Sequence, residues 1–383
     1  MLFKEIIGNN LVKKQLIKSV RSNRISHAQL FSGKTGSAKL ALALAYAQFL
    51  NCENNSAVDS CGVCSSCLKF NSLSHPDLHL VFPVLKTKEV PRPVSDHFIG
   101  QWRNFITNNY YGSLNCWINS FGTQSKSGQQ GKIYKDESSE IHKKLSFKNY
   151  ESEYRVVLIW MPERMNSEVS NKLLKLFEEP PKGTVFLLVT ENVSQLLPTI
   201  ISRLQTIKIA DFTADDIVSH FGEQVLSLEK AKQLRSLTNA DLGKITQILE
   251  DKEDGLDLFT DFSAWMRLNY KMDVQGIANW VEKISSNGRK QQNLFLSYAI
   301  RMVRECLIYN FSSNTLLKTN KHEFAFLTKF SPFIHEENSV MITEKLEESI
   351  RAINRNANAK ILFFELSLQM VKLLRLKRKF AIK

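Results

Sequence analysis

Apolar positions along this chain fall into two kinds of run. Short, nearly continuous ones occur at AQLF (Ala28–Phe31), at DLHLVFP from Asp77, at RVVLIW (Arg155–Trp160), at GTVFLLVT (Gly183–Thr190) and at Ile207–Ile209. Runs of that length, apolar on both faces, predict buried parallel strands. Between them lie helical spacings: residues 9–22 (Leu11, Val12, Leu16, Ile17, Val20), the alanine- and leucine-rich Ala38–Leu50, and SEVSNKLLKLFEE, which Pro180-Pro181 stops. Strands alternating with helices predict an α/β fold, a mostly parallel sheet between two helical layers. After Ala210 the pattern is helical to the end. Thr213 stands as an N-cap with Asp216 at the capping-box position. A small helical unit follows to about Glu250, and a larger one from Leu256, where ILFFELSLQMVKLL reads as a packed helix.

Residues 86–132 interrupt the alternation. The stretch is rich in Pro, Gly, Ser, Asn and Gln, with Phe98, Trp102, Phe105, Tyr110, Tyr111, Trp117 and Phe121 scattered through it. So many rings predict an insertion that docks on the sheet domain. Rings beside Lys and Arg can also stack on single-stranded bases, although packing is their commoner fate.

The first strand runs into Gly33-Lys34-Thr35-Gly36-Ser37-Ala38-Lys39-Leu40 and then a helix, the layout of a phosphate-cradling loop. A working loop reads G-x-x-x-x-G-K-[ST]. Here Ala38 replaces the second glycine and Leu40 replaces the magnesium-holding hydroxyl. In nucleotide-hydrolysing versions a second strand ends in acids that organise magnesium and water. The strand here is VVLIW, so Trp160 and Met161 occupy the acidic places, and Glu163 lies past the strand end with no assurance of reaching back. The pattern predicts a degenerate ATPase with negligible hydrolysis, with Lys39 a remnant or the partner of a local carboxylate. PTIISRLQTIKI sets Ser202 and Arg203 just before the last strand. Alone, such an arginine reads as a surface ion-pair partner. Beside a defunct phosphate loop, it reads as a charge offered in trans to a neighbour's nucleotide.

Composition adds less. With 383 residues, 43% apolar and 23% charged, the chain predicts a soluble protein of two or three domains. No apolar run reaches membrane-spanning length and MLFKEIIGNN has no leader pattern, so the cytoplasm is the expected address and no membrane partner is expected. The net charge of +13 fits an acidic or polyanionic partner and a merely solvated basic surface equally well. The cysteines say more. Cys52, Cys61, Cys64 and Cys67 are spaced C-x8-C-x2-C-x2-C. In a reducing compartment, such spacing favours a closed structural zinc site over free or paired thiols.

Taken together, FKEIIGNNLVKKQL, ISHAQLFSGKTGSAK, the four-cysteine module, CLKFNSLSHPDLHLV, SFKNYESEYRVVLI, NKLLKLFEEPPKGTVFLLVT, LLPTIISRLQTIKI and INRNANAKILFFEL resemble, in order, the delta-prime branch of the bacterial DNA polymerase III clamp-loader family, which is AAA+. The resemblance implies three domains: an AAA+ P-loop-type sheet domain at 1–210 carrying the zinc module at 52–67, a helical lid at 211–252, and an all-α collar at 253–383. It implies a pentameric ring with gamma/tau ATPase subunits and a delta subunit, acting on a sliding clamp and primer-template DNA. It places Arg203, with Ser202, as an arginine finger toward a neighbouring ATPase site, Leu204 standing where the family usually has cysteine. ATP binding at Gly33, Gly36 and Lys39 is not expected, and the lid's nucleotide-sensing arginine is absent, Gly243 falling at about its place. The 86–132 insertion departs from the family pattern. Two alternatives stay open: an active gamma/tau-like ATPase, and a zinc-containing DNA-binding protein on a vestigial AAA+ scaffold.

Overall fold

A computed structural model describes residues 1–87, 89–121, 131–250, 258–311, 317, 319 and 321–376. The chain forms two compact units, Met1–Glu250 and Asp251–Lys383.

The first unit is built on five parallel strands: β1 (Ala28–Ser32), β2 (Leu78–Val81), β3 (Arg155–Trp160), β4 (Thr184–Thr190) and β5 (Gln205–Lys208). Their order is β2-β3-β4-β1-β5. β1 lies between β4 and β5, so the chain emerging from it faces the carboxyl ends of both. Parallel strands need crossovers, which helices supply. Helix α1 (Asn10–Arg21) precedes β1, and the connections between strands carry α2 (Lys39–Leu50), α3 (Ser65–Asn71), α4 (Ile99–Asn108), α5 (Leu114–Asn119), α6 (Asp136–Ser146), α7 (Ser167–Glu178) and α8 (Pro198–Ile201). Every residue of α2 is buried, which explains a sequence apolar all round rather than on one face.

The pleat sorts each strand between two cores. Val156, Leu158, Trp160, Leu187 and Val189 face α2 and the insertion, whereas Val157, Ile159, Phe186 and Leu188 face α6 and α7. The AAA+-type α/β architecture read from the sequence is what the chain adopts, with strands within one or two residues of the expected positions.

The described part of the insertion packs as an aromatic wedge, residues 88 and 122–130 of the 86–132 stretch lying outside the described residues. Trp102 stacks on Phe82 at 4.3 Å and lies 4.8 Å from Trp160, and Trp117 meets Phe82, Trp102 and Phe121 edge-on. Phe98, Trp102, Phe105, Trp117 and Phe121 are all buried, so these rings are not available to stack on bases. The Trp117 Nε1–H donates to the Pro83 carbonyl at 2.7 Å, which satisfies the one polar atom that burying this ring brings along.

Three further helices, α9 (Ala214–Phe221), α10 (Leu228–Thr238) and α11 (Leu242–Glu250), complete the first unit. Thr213 caps α9 in the expected box with Asp216. Phe212, Ile217, Leu234, Leu242 and Ile245 join the core on the α2 side of the sheet, so these helices pack with the sheet rather than apart from it. The second unit is helical: α12 (Leu258–Lys271), α13 (Val274–Ser286), α14 (Arg289–Phe311), α15 (Lys321–Phe330), α16 (Glu336–Asn354) and α17 (Ala359–Leu373). Its core stacks Trp265 on Trp280 at 5.2 Å, with Phe295 and Phe363 against them. Among the described residues, no helix is long and apolar enough to cross a membrane.

Two measurements test this packing. Trp102→Ala empties the centre of the wedge and should destabilise the first unit by about 3–5 kcal/mol in urea unfolding. His79, in β2, is held down to about 4 by burial and by the charges of Lys144 and Arg155. Its native pKa lies below the unfolded value, so it contributes stability fully above pH ~6.5 and loses it as pH falls toward ~4. His79→Asn should therefore show a shallower loss of stability than the unaltered chain across that window.

Candidate functional site: a closed phosphate loop and a four-thiol cluster

The loop after β1 turns at Gly36 and leads into α2. Gly36 has a φ of +74°, which a side chain would strain, and the space above it is filled by Asp241. A Cβ at Gly36 would lie 2.1 Å from Asp241 Oδ1. Asp241 precedes α11 and accepts from the Lys244 backbone N–H at 3.2 Å, a helix-capping bond that fixes its carboxylate over the loop. Burial raises the Asp241 pKa.

Lys39 opens α2 with only 4% of its side chain exposed. Its Nζ donates to the Lys34 carbonyl at 2.8 Å and to Glu191 Oε1 at 3.1 Å. Burial lowers its pKa, and the Glu191 charge opposes the shift. The other Glu191 oxygen accepts from Thr35 Oγ1 at 2.9 Å, so one carboxylate ties the lysine and the loop together. The lysine therefore has the local carboxylate partner foreseen as one of its two fates.

Glu163 does reach back. The chain reverses at Met161, whose φ is +57°, and the short turn that follows brings the carboxylate to the end of β4. There it accepts from the Thr190 hydroxyl at 2.9 Å and from the Glu191 N–H at 3.0 Å. It is engaged in holding Glu191 in place. Trp160 is buried against Trp102, and Leu40 is buried in the same core. Gly243 lies in the first turn of α11, where a Cβ would be 3.2 Å from the Tyr111 carbonyl.

Ser202 and Arg203 follow α8. Arg203 Nε donates to Glu178 Oε1 at 2.6 Å and Nη1 to the Thr199 carbonyl at 2.7 Å, with Ser202 Oγ at 3.4 Å. Arg203 is 30% exposed and Glu178, at the end of α7, 47%. None of these partners belongs to the loop around Lys39.

The four cysteines converge, with every pair of sulfurs within 4.8 Å. Cys61 Sγ and Cys67 Sγ are 3.9 Å apart, close to the ~3.8 Å edge of a tetrahedron with zinc–sulfur bonds of ~2.3 Å. Backbone N–H groups point at the sulfurs: Cys61 to Cys52 at 3.2 Å, Cys64 to Cys61 at 3.3 Å, Cys67 to Cys64 at 3.4 Å. Such donors favour thiolates, and those of Val63 and Cys64 draw the Cys61 thiol down to about 6. Burial pushes Cys52 and Cys67 the other way, a penalty that a dication among the sulfurs offsets. The donor set fits a tetrahedral ion such as zinc, and no ligand position is left open for catalysis.

The SHPD motif after this module is structural. Asp77 accepts backbone N–H bonds from Tyr150, Glu151 and Ser152 at 2.7–2.9 Å, which pins the turn leading into β3. His75 stacks on Phe70 at 4.5 Å.

Residues 8–213 match the family model described as DNA polymerase III, delta subunit. DNA polymerase III subunit delta' of Bacillus subtilis is 30% identical over 228 residues, 60% of this chain and 55% of that one. This chain belongs to the delta-prime clamp-loader family. The delta-prime subunit of Pseudomonas aeruginosa is 30% identical over 178 residues, 46% of this chain and 41% of its own. A gamma/tau subunit of Mycobacterium tuberculosis is 26% identical over 201 residues, 52% of this chain and 27% of its own. The match thus spans about half the length of the delta-prime relatives and a quarter of the gamma/tau one. The family-model match ends at residue 213 and so does not extend over α9 to α17.

Sequence reasoning missed Glu191, Asp241 and Glu178. The first had a usable signal: it follows β4 directly, and residues just past neighbouring parallel strands gather at one edge of the sheet. Asp241 and Glu178 had none beyond their local helix ends.

Metal content tests the cluster. The purified delta-prime chain should carry one zinc by elemental analysis. Cys61→Ser/Cys64→Ser should carry none and melt at a lower temperature, because metal binding contributes folding free energy.

Proposed function

We propose that this chain is the non-hydrolysing delta-prime subunit of a bacterial clamp loader, contributing to sliding-clamp loading in DNA replication. In this reading it sits in a pentameric ring with gamma/tau ATPase subunits and a delta subunit, and Arg203, supported by Ser202, reaches a nucleotide held by its neighbour. The sheet domain, the 211–252 helices as a lid and the 253–383 helices as a collar fill the three roles that the ring needs. Zinc braces the sheet domain.

The observation that carries the reading is the saturated phosphate loop. Lys39 is neutralised by Glu191, Asp241 fills the cradle at Gly36, and the two magnesium positions hold Leu40 and Trp160. An incoming triphosphate would meet carboxylates where it needs cations, so neither ATP binding nor hydrolysis is expected of this chain. The gamma/tau-like alternative needs groups that these positions do not offer.

Arg203 is suited to act elsewhere. Its bond to Glu178 is half exposed, and such pairs are worth about 0–1 kcal/mol, so a neighbour's γ-phosphate can replace Glu178 at little cost. An arginine supplied in trans is worth about 10³–10⁵ in kcat at the site it faces.

Reconstitution decides the matter. The chain, assembled with its ATPase and delta partners, should form a stable complex that loads clamps. Arg203→Ala should leave assembly intact and lower DNA-stimulated ATP turnover. Unchanged turnover in that variant removes the arginine's role, and phosphate release by the isolated chain removes the non-hydrolysing one.

A further inference from the structure

Helix α1 carries Lys13, Lys14, Lys18 and Arg21 and no acidic residue. Lys13 turns inward to the Ile6 carbonyl. Lys14, Lys18 and Arg21, spaced to share one face of the helix, are exposed. Among the described residues no carboxylate pairs with any of these three.

Opposite this face stands the tip of the loop between Cys52 and Cys61. Together they form an open groove of about 420 Å³, lined by Lys14, Lys18 and Arg21 and floored by Ile17, Ala57 and Val58. Val58 is 68% exposed, and Leu11, on the same helical stripe as the cations, is 83% exposed. Single exposed aliphatics need no explanation, but here apolar floor and unpaired cations coincide.

The groove is fixed before anything binds. Ser56 N–H donates to the Asp59 carbonyl at 2.8 Å, and Arg21 Nη2 reaches the Ser56 carbonyl at 3.2 Å. The buried Asp59 carboxylate accepts from the Phe3 and Lys4 N–H groups at 3.0 and 2.9 Å. A preformed site pays little ordering entropy on binding.

We propose that this groove docks an acidic peptide segment carrying an aliphatic side chain, presented by a partner protein. The charge calls for an anion, and the floor calls for an apolar group between the anions. A nucleic-acid backbone satisfies only the first demand. No aromatic ring lines the groove to stack a base, and a phosphate chain gains nothing from covering Val58 and Ala57. Acidic side chains over the three cations and an aliphatic one on the floor satisfy both.

The test is fluorescence anisotropy with the full chain at physiological salt. The probe is a short labelled peptide of Asp residues flanking a Leu pair. Saturable binding is expected. Lys14→Glu/Lys18→Glu should weaken it about tenfold or more, since each charge change at a docking rim acts on encounter and on residence. Val58→Ser, and a probe with Gly in place of the Leu pair, should each weaken it several-fold. These positions are exposed, so unchanged thermal melting is expected and confirms that the variants fold. Absence of saturable binding overturns the proposal. So does binding indifferent to the Leu pair, which would be charge attraction alone. Tighter binding of an oligo(dT) strand, lost in the same lysine variant, would make the groove a nucleic-acid site instead. Arg203→Ala should leave peptide binding untouched, which separates this result from the fate of the clamp-loader reading.

Discussion

Taking the Lys39 ammonium out of water is the constraint around which the first unit is arranged. A buried cation without an anion costs several kcal/mol, so the fold has to provide one. A nucleotide-using loop gets its anion from phosphate. This chain gets it from Glu191, whose second oxygen also holds Thr35, and whose backbone is held in turn by Glu163. Asp241 then covers Gly36. The loop is therefore complete without a ligand. Its shape is a requirement of packing, because β1 has to turn into a fully buried helix.

The same logic applies to Trp160 at the end of β3 and to Leu40 at the start of α2. A carboxylate at the end of β3 would sit in a dry, aromatic environment with no cation to pair with it. Tryptophan there gains burial instead, and it becomes the contact through which the insertion docks. Leu40 likewise adds its side chain to the core under the sheet. At both positions, burial in an apolar core takes the place of polar chemistry. An aromatic wedge and a hydrated divalent cation cannot occupy the same strand end.

Polar chemistry that the interior excludes is found at the surface. Arg203 is held in a weak, half-exposed pair with Glu178, a restraint loose enough to yield to a stronger anion. The cations of α1, with no carboxylate partner among the described residues, face solvent beside a loop that Asp59 ties to the Phe3 and Lys4 backbone. In both places the charged group stays in reach of water, in contrast to Lys39, whose burial is nearly complete.

Much of this was legible in the sequence. The five strands, the buried second helix, the capping box at Thr213 and the convergence of four cysteines all follow from patterns that are local along the chain. Run length and periodicity report which faces are buried, and short thiol spacing limits how far the sulfurs can separate. The missing hydroxyl and the missing acids could likewise be read as single letters. The neutralisation of the loop could not. Glu163 and Glu191 are 28 residues apart, Lys39 and Glu191 are 152 apart, and Asp241 comes from a later helix still. Only the parallel sheet, by bringing the carboxyl ends of its strands to one edge, puts these charges together. Nor could spacing tell whether the insertion's rings lie open or packed, because that depends on Phe82 and Trp160 being there to receive them. The sequence by itself determined the layers and the grouping of the four cysteines, since both are written in short-range patterns. The tertiary structure alone decided which charges are quenched and which remain available, since that depends on what each one meets across the fold.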